Sequence, residues 1–246
     1  MKNPEHYRID NKTPEHKKKF IQNLFNSIVP TYDLLNHVLS GGIDMIWRTN
    51  IFRYLETVKN NPAIDLCCGT GDLSKLLYRK GAKLVSLDFS FNMLEKGNKK
   101  VFLQGASVAA DASNIPFKNN SFHTATIAFG IRNIPDLDTF IKDVHRVLNN
   151  GGQLAILELV KPEHRFIGFL YSFYLGTILP LIGGIISGKQ FAYNYLSKTI
   201  ATFINPFDLQ TMLEKYGFSK VKHYPQTLGI ATIIICKKRN SLVREL

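Results

Sequence analysis

The chain has 246 residues, of which 45% are hydrophobic and 20% charged, enough for one α/β domain with a sizeable core. Its 31 Lys and Arg outnumber its 19 Asp and Glu, and the resulting net charge of +12 favours an anionic partner, either a nucleic acid or an acidic membrane face. The 3 cysteines follow no disulfide or zinc spacing, which excludes a small disulfide-rich secreted scaffold, favours a reducing compartment and predicts no metal site.

The N-terminal part of the chain, residues 1–60, is predicted to form a helical cap. The Thr13 side chain can accept a hydrogen bond from a backbone N–H in the first turn of a helix, and Pro14 suits the first helical position. A helix is therefore expected to begin at these residues. The polar N-terminus predicts no signal peptide. Tyr32 and Trp47 lie among polar groups that follow no simple helical stripe, and they fit core positions or ligand contacts equally well.

A glycine turn between two strands carries the clearest signal. A short apolar strand over residues 63–66 runs into Gly69 and Gly71, which permit a sharp turn and close approach to a ligand. A second strand, residues 83–88, ends in Asp88 at about the 20-residue spacing typical of a βαβ unit that binds a ribose. This pattern predicts a nucleoside cofactor across the ends of the first two strands.

The residues of the turn favour a cationic cofactor over a dinucleotide. Ser74 stands where a dinucleotide site has its third glycine, and Asp72 would repel a pyrophosphate. S-adenosylmethionine (SAM) carries a ribose, an ammonium and a sulfonium, so Asp65 and Asp72 could hold its positive charge while Asp88 holds the ribose. A plain strand–helix turn with no ligand is the alternative.

The next two strands add candidate contacts. Residues 107–112 predict the third strand, whose end would place Asp111 and Ala112 beside the adenine; Asp111 could equally be a helix or turn cap. The fourth strand, residues 123–129, leads to Arg132 at the crevice. An arginine beside a cationic cofactor needs an acid or a substrate oxyanion as a partner, although a surface arginine on a loop would give the same pattern.

A fifth strand, residues 153–159, precedes an uncharged stretch over residues 166–188. The stretch is about long enough to span a bilayer, but Gly176 and Pro180 are expected to break it, and it lies between strands of one sheet. It is predicted to be an apolar lid over a hydrophobic substrate. The alternative is a helical insertion that only covers the core. The basic residues that flank it, where anionic head groups would lie, are Arg165, Lys189 and Lys198.

Several motifs carry a family resemblance. Asp65 to Gly71 resembles the first motif of class I SAM-dependent methyltransferases, with Cys67 in place of the first glycine. The stretches that resemble the demethylmenaquinone and ubiquinone-pathway C-methyltransferases are Phe129-Gly130-Ile131-Arg132-Asn133, Glu158-Leu159-Val160-Lys161-Pro162, Ala192-Tyr193-Asn194-Tyr195-Leu196 and Leu228-Gly229-Ile230. The resemblance runs from about the Phe25 helix to Lys237, nearly the whole chain. Ala128 stands where many members have a serine that contacts SAM.

The resemblance implies a class I, Rossmann-like α/β fold. Its mostly parallel seven-stranded sheet would have an antiparallel last strand, helices on both faces and a helical lid inserted after strand 5. The expected parts of this single domain, 1–246, are the cap (1–60), the SAM-binding core (61–162), the apolar lid (163–205) and a C-terminal helix with two strands (206–237).

The resemblance also implies the site. With the residue pattern, it assigns SAM binding to Asp65, Gly69, Thr70, Gly71, Asp88, Asp111 and Ala112. The family's catalytic neighbourhood falls on Tyr32, Arg132 and Asn133. Arg132 would stabilise a developing phenolate while Tyr32 and Asn133 orient the ring.

The implied reaction is C-methylation of a polyprenylated quinol, demethylmenaquinol first and a methoxy-polyprenyl-benzoquinol second. The expected setting is cytoplasmic and peripheral at the inner membrane face, with a homodimer as a possible assembly. The alternatives are another apolar acceptor, or a SAM-binding membrane-surface protein without activity. A nucleic-acid methyltransferase is disfavoured, because neither an Asn-Pro-Pro-aromatic motif nor a Pro-Cys pair follows strand 4 and because an uncharged lid makes a poor phosphate groove.

Overall fold

The sheet is built from strands spread over most of the chain. A computed structural model describes residues 13–99 and 107–240. Within that part of the chain the strands are β1 (Pro62–Leu66), β2 (Lys83–Asp88), β3 (Ser107–Ala109), β4 (Phe122–Ala128), β5 (Leu148–Leu159), β6 (Phe218–Gln226) and β7 (Ala231–Lys238). They form one 7-stranded sheet in the order β3-β2-β1-β4-β5-β7-β6.

The direction of the strands confirms the predicted sheet. β1 pairs in parallel with β2 on one side and β4 on the other, and β5 continues the parallel set. β7 runs antiparallel to β5 and β6. Because the strand order reverses beside β1, the carboxyl ends of β1 and β4 border a crevice in which ligands of open α/β sheets bind.

Helices surround this sheet. They are α1 (Pro14–Ile28), α2 (Tyr32–Ser40), α3 (Ile43–Asn50), α4 (Asp72–Arg79), α5 (Phe91–Asn98), α6 (Leu137–Val147), α7 (Arg165–Phe173), α8 (Leu179–Ser187), α9 (Gln190–Thr202) and α10 (Pro206–Lys215). Short 3-10 turns cover Val29–Thr31, Ile51–Arg53, Ile131–Asn133 and Thr227–Gly229. The Thr13 hydroxyl accepts the backbone N–H of His16, which confirms the predicted start of the first helix.

Alternate residues of the strands show that helices cover both faces. Ile64 and Ile156 belong to a core cluster with α6 and α10. Ala63 and Ala155, their neighbours in sequence, belong to a second cluster with α3 and α4. Since successive side chains of a strand point to opposite faces, the two clusters lie on opposite sides of the sheet.

One expected element boundary is wrong, and the helical cap divides at a pair of glycines. The third strand ends at Ala109 and not at Ala112, because the chain turns after it. The Asp111 side chain accepts the backbone N–H of Ser113, and the Asp111 carbonyl accepts the backbone N–H of Asn114. Residues 30–48 form two helices, α2 and α3, which meet at Gly41 and Gly42, both with positive φ.

The predicted break in the apolar stretch is also wrong. α7, a π-helical turn at Tyr174–Ile178 and α8 form one helical run from Arg165 to Ser187, long and apolar enough to cross a membrane by length and composition. The π-helical turn shifts the hydrogen-bond pattern just before Pro180, so the helix continues past a residue that has no N–H to donate. Because β5 before this run pairs directly with β7 after it, both flanks of the run lie in one sheet.

Candidate active site

The turn after β1 has an unusual backbone. Cys67, Gly69 and Gly71 all have positive φ, at 52°, 56° and 87°. For a residue with a Cβ this conformation costs about 1–2 kcal/mol. A Cβ on Gly130, at the end of β4, would lie 2.6 Å from the Cβ of Cys67. The cysteine therefore fits in the turn because the residue that faces it is glycine.

Asp65 lies at the root of this turn and is 1% exposed. Its two carboxylate oxygens accept the hydroxyls of Ser74 at 2.6 Å and Thr126 at 2.7 Å. Burial raises its pKa to about 6, although both hydroxyls oppose the shift. The structure thus places Asp65 where it ties β1 to α4 and β4.

The rest of the turn is held by α2. The Thr70 hydroxyl donates to the carboxylate of Asp33, and Gly71 precedes the first turn of α4. The Asp72 carboxylate lies 3.8 Å from Nε2 of His37. Thr70 and Gly71 are buried, so the structure places them behind the surface that a ligand would meet.

Asp88 and Gly69 meet at one end of a cleft along the strand ends. Oδ2 of Asp88 accepts the Gly69 N–H at 2.8 Å, and Oδ1 accepts the Ser90 N–H at 2.7 Å. Burial raises the pKa of Asp88, and these hydrogen bonds oppose the shift. We call this space the cofactor cleft; its lining residues are Lys18, Ile21, Gln22, Phe25, Tyr32, Cys67, Gly69, Asp88, Phe89, Ser90, Met93, Asp111, Ala112, Ala128, Phe129, Gly130, Asn133, Ile134 and Pro135.

The cofactor cleft suits a nucleoside in its chemistry. Its walls include Phe89, Met93 and Ile134, which offer apolar contact to a base, and Asp88 offers a carboxylate to a ribose. At the far end the Asp111 carboxylate pairs with Lys18 at 2.6 Å, which holds its pKa below the usual value against the effect of burial. The open volume of the cleft is about 90 Å³.

A larger cavity, of about 440 Å³, lies beside the cleft, and we call it the acceptor cavity. Its apolar part is formed mainly by α1 and the run from α7 to α9, including Leu24, Ile28, Tyr171, Leu175, Leu179, Tyr193 and Leu196. Its polar lining residues include Asn36, Ser40, Asp44, Arg48, Arg132 and Asn133. Such a cavity accepts a molecule with a polar head and a long apolar tail.

The cofactor cleft and the acceptor cavity share a boundary. Phe25, Tyr32, Phe129 and Asn133 line both, and we call these four residues the junction. The Tyr32 ring packs on the backbone of Gly69, since a Cβ there would lie 3.5 Å from its Cε1. The junction therefore brings two of the three predicted catalytic residues to the place where the two spaces meet.

Arg132, the third predicted catalytic residue, has a buried partner. Its guanidinium forms an ion pair with Glu158, and the side chains are 8% and 0% exposed. Glu158 also accepts the backbone N–H of Leu159 at 2.8 Å. Nε of Arg132 is buried and makes no hydrogen bond within the described residues. The sequence predicted either an acid or a substrate oxyanion beside Arg132 and did not name Glu158 as that acid, although Glu158 is the single carboxylate of β5.

Asn133 is held by the lid. Its Oδ1 accepts the Tyr195 hydroxyl at 3.2 Å, and burial raises the pKa of Tyr195 to about 12. A neutral phenol at this position keeps its proton to donate, so the amide of Asn133 is oriented by it. Tyr193 also lines the acceptor cavity.

A polar group on α2 and α3 was missed. Asp44 and Arg48 line the acceptor cavity and are 4% and 6% exposed. The Arg48 guanidinium lies 4.8 Å from the centre of the Phe129 ring. The available signal was an Asp and an Arg four residues apart, which share one helical face.

Comparisons with known proteins show the family to which the chain belongs. Residues 12–238 match the model of the ubiE/COQ5 methyltransferase family. The chain is 40% identical over 221 residues to the demethylmenaquinone methyltransferase of Thermotoga maritima, covering 89% of this chain and 96% of that protein. It is 37% identical over 230 residues to the ubiquinone/menaquinone biosynthesis C-methyltransferase UbiE of Geotalea daltonii, covering 90% and 97%.

Solved structures support the fold. A SAM-dependent methyltransferase of Thermotoga maritima, a possible histamine N-methyltransferase, superposes with a TM-score of 0.64 at 18% identity, covering 88% of this chain and 99% of that one. The [4+2]-cyclase SpnF superposes with a TM-score of 0.65 at 14% identity, covering 91% and 97%. Since these neighbours differ in chemistry, the fold alone does not fix the reaction. Taken with the family match, the motif and the cleft identify the chain as a SAM-dependent methyltransferase of the ubiE/COQ5 family.

Proposed function

We propose that this enzyme methylates a ring carbon of a polyprenylated quinol, with demethylmenaquinol as its principal acceptor. The observation that carries the proposal is the acceptor cavity, which combines polar groups with a long apolar lining and meets the cofactor cleft at the junction. The names of the relatives from Thermotoga maritima and Geotalea daltonii support a quinone-pathway acceptor.

SAM supplies the methyl group on a sulfonium. Arg132 would donate its unpartnered Nε–H to the quinol oxygen next to the reacting carbon, which stabilises negative charge as the hydroxyl proton leaves. Glu158 keeps the guanidinium in place without entering the cavity lining. Tyr32 and Asn133 would orient the ring from the junction, and this positioning supplies much of the acceleration.

The cofactor contacts divide into two groups. Asp88 would accept from the ribose hydroxyls, and Asp111 with Ala112 would meet the adenine once Lys18 has moved aside. Gly69, which lines the cleft, would contact the ligand through its backbone. Asp65, Thr70 and Gly71 would act by holding the turn in shape.

The run from α7 to α8 has two apolar faces. One face, with Tyr171, Leu175 and Leu179, lines the acceptor cavity. The other face carries large exposed side chains, namely Phe166, Phe169, Phe173, Leu181 and Ile185, which are 56–76% exposed. We propose that this second face rests on an anionic membrane at the cytoplasmic side, with Arg165, Lys189 and Lys198 near the head groups, and that the quinol enters the cavity from the lipid.

Methyl transfer to matched acceptors tests the proposed function. The enzyme is incubated with methyl-labelled SAM, a reduced demethylnaphthoquinol and a reduced methoxybenzoquinol that carry the same prenyl tail. Label in the naphthoquinol ring supports the proposal, and label in both rings would extend it to the ubiquinone pathway. Label in neither ring, with SAM bound, would contradict it and favour another apolar acceptor.

A further inference from the structure

A hydrogen-bonded polar group lies on α2 and α3 beside the acceptor cavity. The Asp44 carboxylate accepts the Ser40 hydroxyl at 2.8 Å. It also lies 3.1 and 3.0 Å from Nδ1 of His37 through its two oxygens. Asp44, Ser40 and Arg48 line the cavity, and the proposed reaction has given none of them a role.

Asp44 keeps an acceptor position that faces the cavity. An ionised carboxylate offers about four lone-pair positions. Ser40 and His37 occupy Oδ1, and His37 shares Oδ2, whose other neighbour, Nε of Arg48, is 3.6 Å away and too distant for a hydrogen bond. That Nε is buried and has no hydrogen-bond partner within the described residues. An acceptor and a donor that lack further hydrogen-bond partners within the described residues thus lie side by side on residues that line the cavity.

The two redox forms of the acceptor differ in what they offer to this pair. A quinol hydroxyl both donates and accepts a hydrogen bond, whereas a quinone carbonyl only accepts. Arg48 and Arg132 are donors and can bind an oxygen of either form. Asp44 can bind only a hydroxyl, and it repels a carbonyl oxygen.

We propose that Asp44 makes the acceptor cavity selective for the reduced quinol over the corresponding quinone. This inference rests on the proposed function, because it deepens the recognition of the same acceptor. Asp44 accepts the hydroxyl that is not next to the reacting carbon, and Arg48 donates to the same oxygen. Only the quinol is nucleophilic enough to take the methyl group, so exclusion of the quinone keeps an unreactive competitor out of the site.

The charged and titratable groups around Asp44 fit this role. His37 contacts it from α2, Arg48 lies on its own helix, and Asp72 reaches His37 from α4. Arg132 faces the same cavity and is balanced by Glu158. Arg48 supplies a positive charge 3.6 Å from the Asp44 carboxylate, as a buried carboxylate in a largely apolar cavity requires.

Binding of a matched redox pair tests the inference without relying on turnover. Dissociation constants of a geranyl-1,4-naphthoquinone and its dithionite-reduced quinol are measured by calorimetry under argon, in the presence of S-adenosylhomocysteine. The wild type is expected to bind the quinol more tightly, and Asp44→Asn, whose amide can donate to a carbonyl, is expected to reduce the quinol-to-quinone preference about 10- to 100-fold. Asp138→Asn, the same change at an exposed ion pair on α6, is the control and should leave the preference unchanged.

A second variant covers the case in which Asp44→Asn fails to fold. The double variant Asp44→Ala/Arg48→Met lacks both partners of the buried ion pair and should also lose the preference for the quinol over the quinone. A folded variant of either kind that retains the wild-type preference overturns the inference while the proposed function stands. If the wild type binds neither form, the proposed acceptor is wrong, which is a distinct outcome.

Discussion

Cys67 shows how a single residue departs from a motif without loss of the turn. It has a positive φ of 52° that favours glycine, and its Cβ occupies space that a Cβ on Gly130 would need. The sequence showed that Cys67 replaces the first glycine of the motif. It could not indicate that Gly130, 63 positions later, provides the space, because that contact exists only after β1 and β4 have paired.

The close approach of Cys67 and Gly130 predicts that a substitution at one position compensates for the loss of stability caused by a substitution at the other. Gly130→Ala should lower the free energy of unfolding by about 1–3 kcal/mol, because the new Cβ meets Cys67. Cys67→Gly should restore most of that loss, since it removes the opposing atom. Urea unfolding of the two single variants and the double variant measures the coupling. Equal losses for Gly130→Ala with and without Cys67→Gly would show that the contact does not matter.

Asp65 predicts a specific pH dependence. Its pKa is 3.8 ordinarily and about 6 in the folded chain. Between these values the folded chain keeps a proton that the unfolded chain has released, so the free energy of unfolding falls as the pH rises through this window. The fall attributable to Asp65 is about 3 kcal/mol and is complete above about pH 6.

Asp65→Asn cannot ionise and isolates this contribution. The free energy of unfolding of the wild type minus that of the variant should decrease as the pH rises from about 4 to about 6. Denaturant titrations at several pH values measure the difference, in which the other titrating groups cancel. A difference that stays constant over this window would show that the pKa of Asp65 is not raised.

At the scale of elements, the sequence predicted features that depend on interactions between neighbouring residues, such as the start of a helix. The start of α1 at Thr13 is confirmed, since a cap involves only neighbouring residues. The continuous helix through Gly176 and Pro180 was not predicted. A π-helical turn and packing against α9 keep it intact, and neither has a local sequence signal.

The two faces of this helix can be separated by matched substitutions. Leu175 is buried and lines the acceptor cavity, whereas Phe169 is 69% exposed and points away from the chain. In detergent, Leu175→Ala should raise the KM of a long-tailed acceptor about 10-fold while a tailless analogue is little affected. Phe169→Ser should leave both KM values unchanged and weaken binding to anionic vesicles about 10-fold.

Turnover in detergent and cosedimentation with vesicles distinguish these roles. The Leu175 variant serves as the control for vesicle binding, and the Phe169 variant serves as the control for tail recognition. If both substitutions change both measurements equally, the helix does not have two separate functions.

At the scale of the whole molecule, the sheet and the cofactor cleft were predictable and the acceptor cavity was not. β1, the glycine turn and β2 follow one another within about 25 residues, a spacing that carries its own signal. The acceptor cavity instead combines α1 to α3, Arg132, the lid helices and Leu228 at the β6–β7 connection. Asp44 and Glu158 could not be assigned to the site from the sequence, because they take their places there only when these distant segments pack together.

The central claim is that methyl transfer takes place at the junction between the cofactor cleft and the acceptor cavity. It is tested most directly by measuring SAM affinity and single-turnover methyl transfer together in Arg132→Lys and Tyr32→Phe. Lysine keeps the charge beside Glu158 but loses the Nε–H, and phenylalanine keeps the ring on Gly69 but loses the hydroxyl. We expect SAM affinity within about 2-fold of the wild type and a transfer rate about 10- to 1,000-fold lower, the range of a lost positioning or charge-stabilising contact. Unchanged transfer rates in both variants would contradict the account and place the reaction elsewhere.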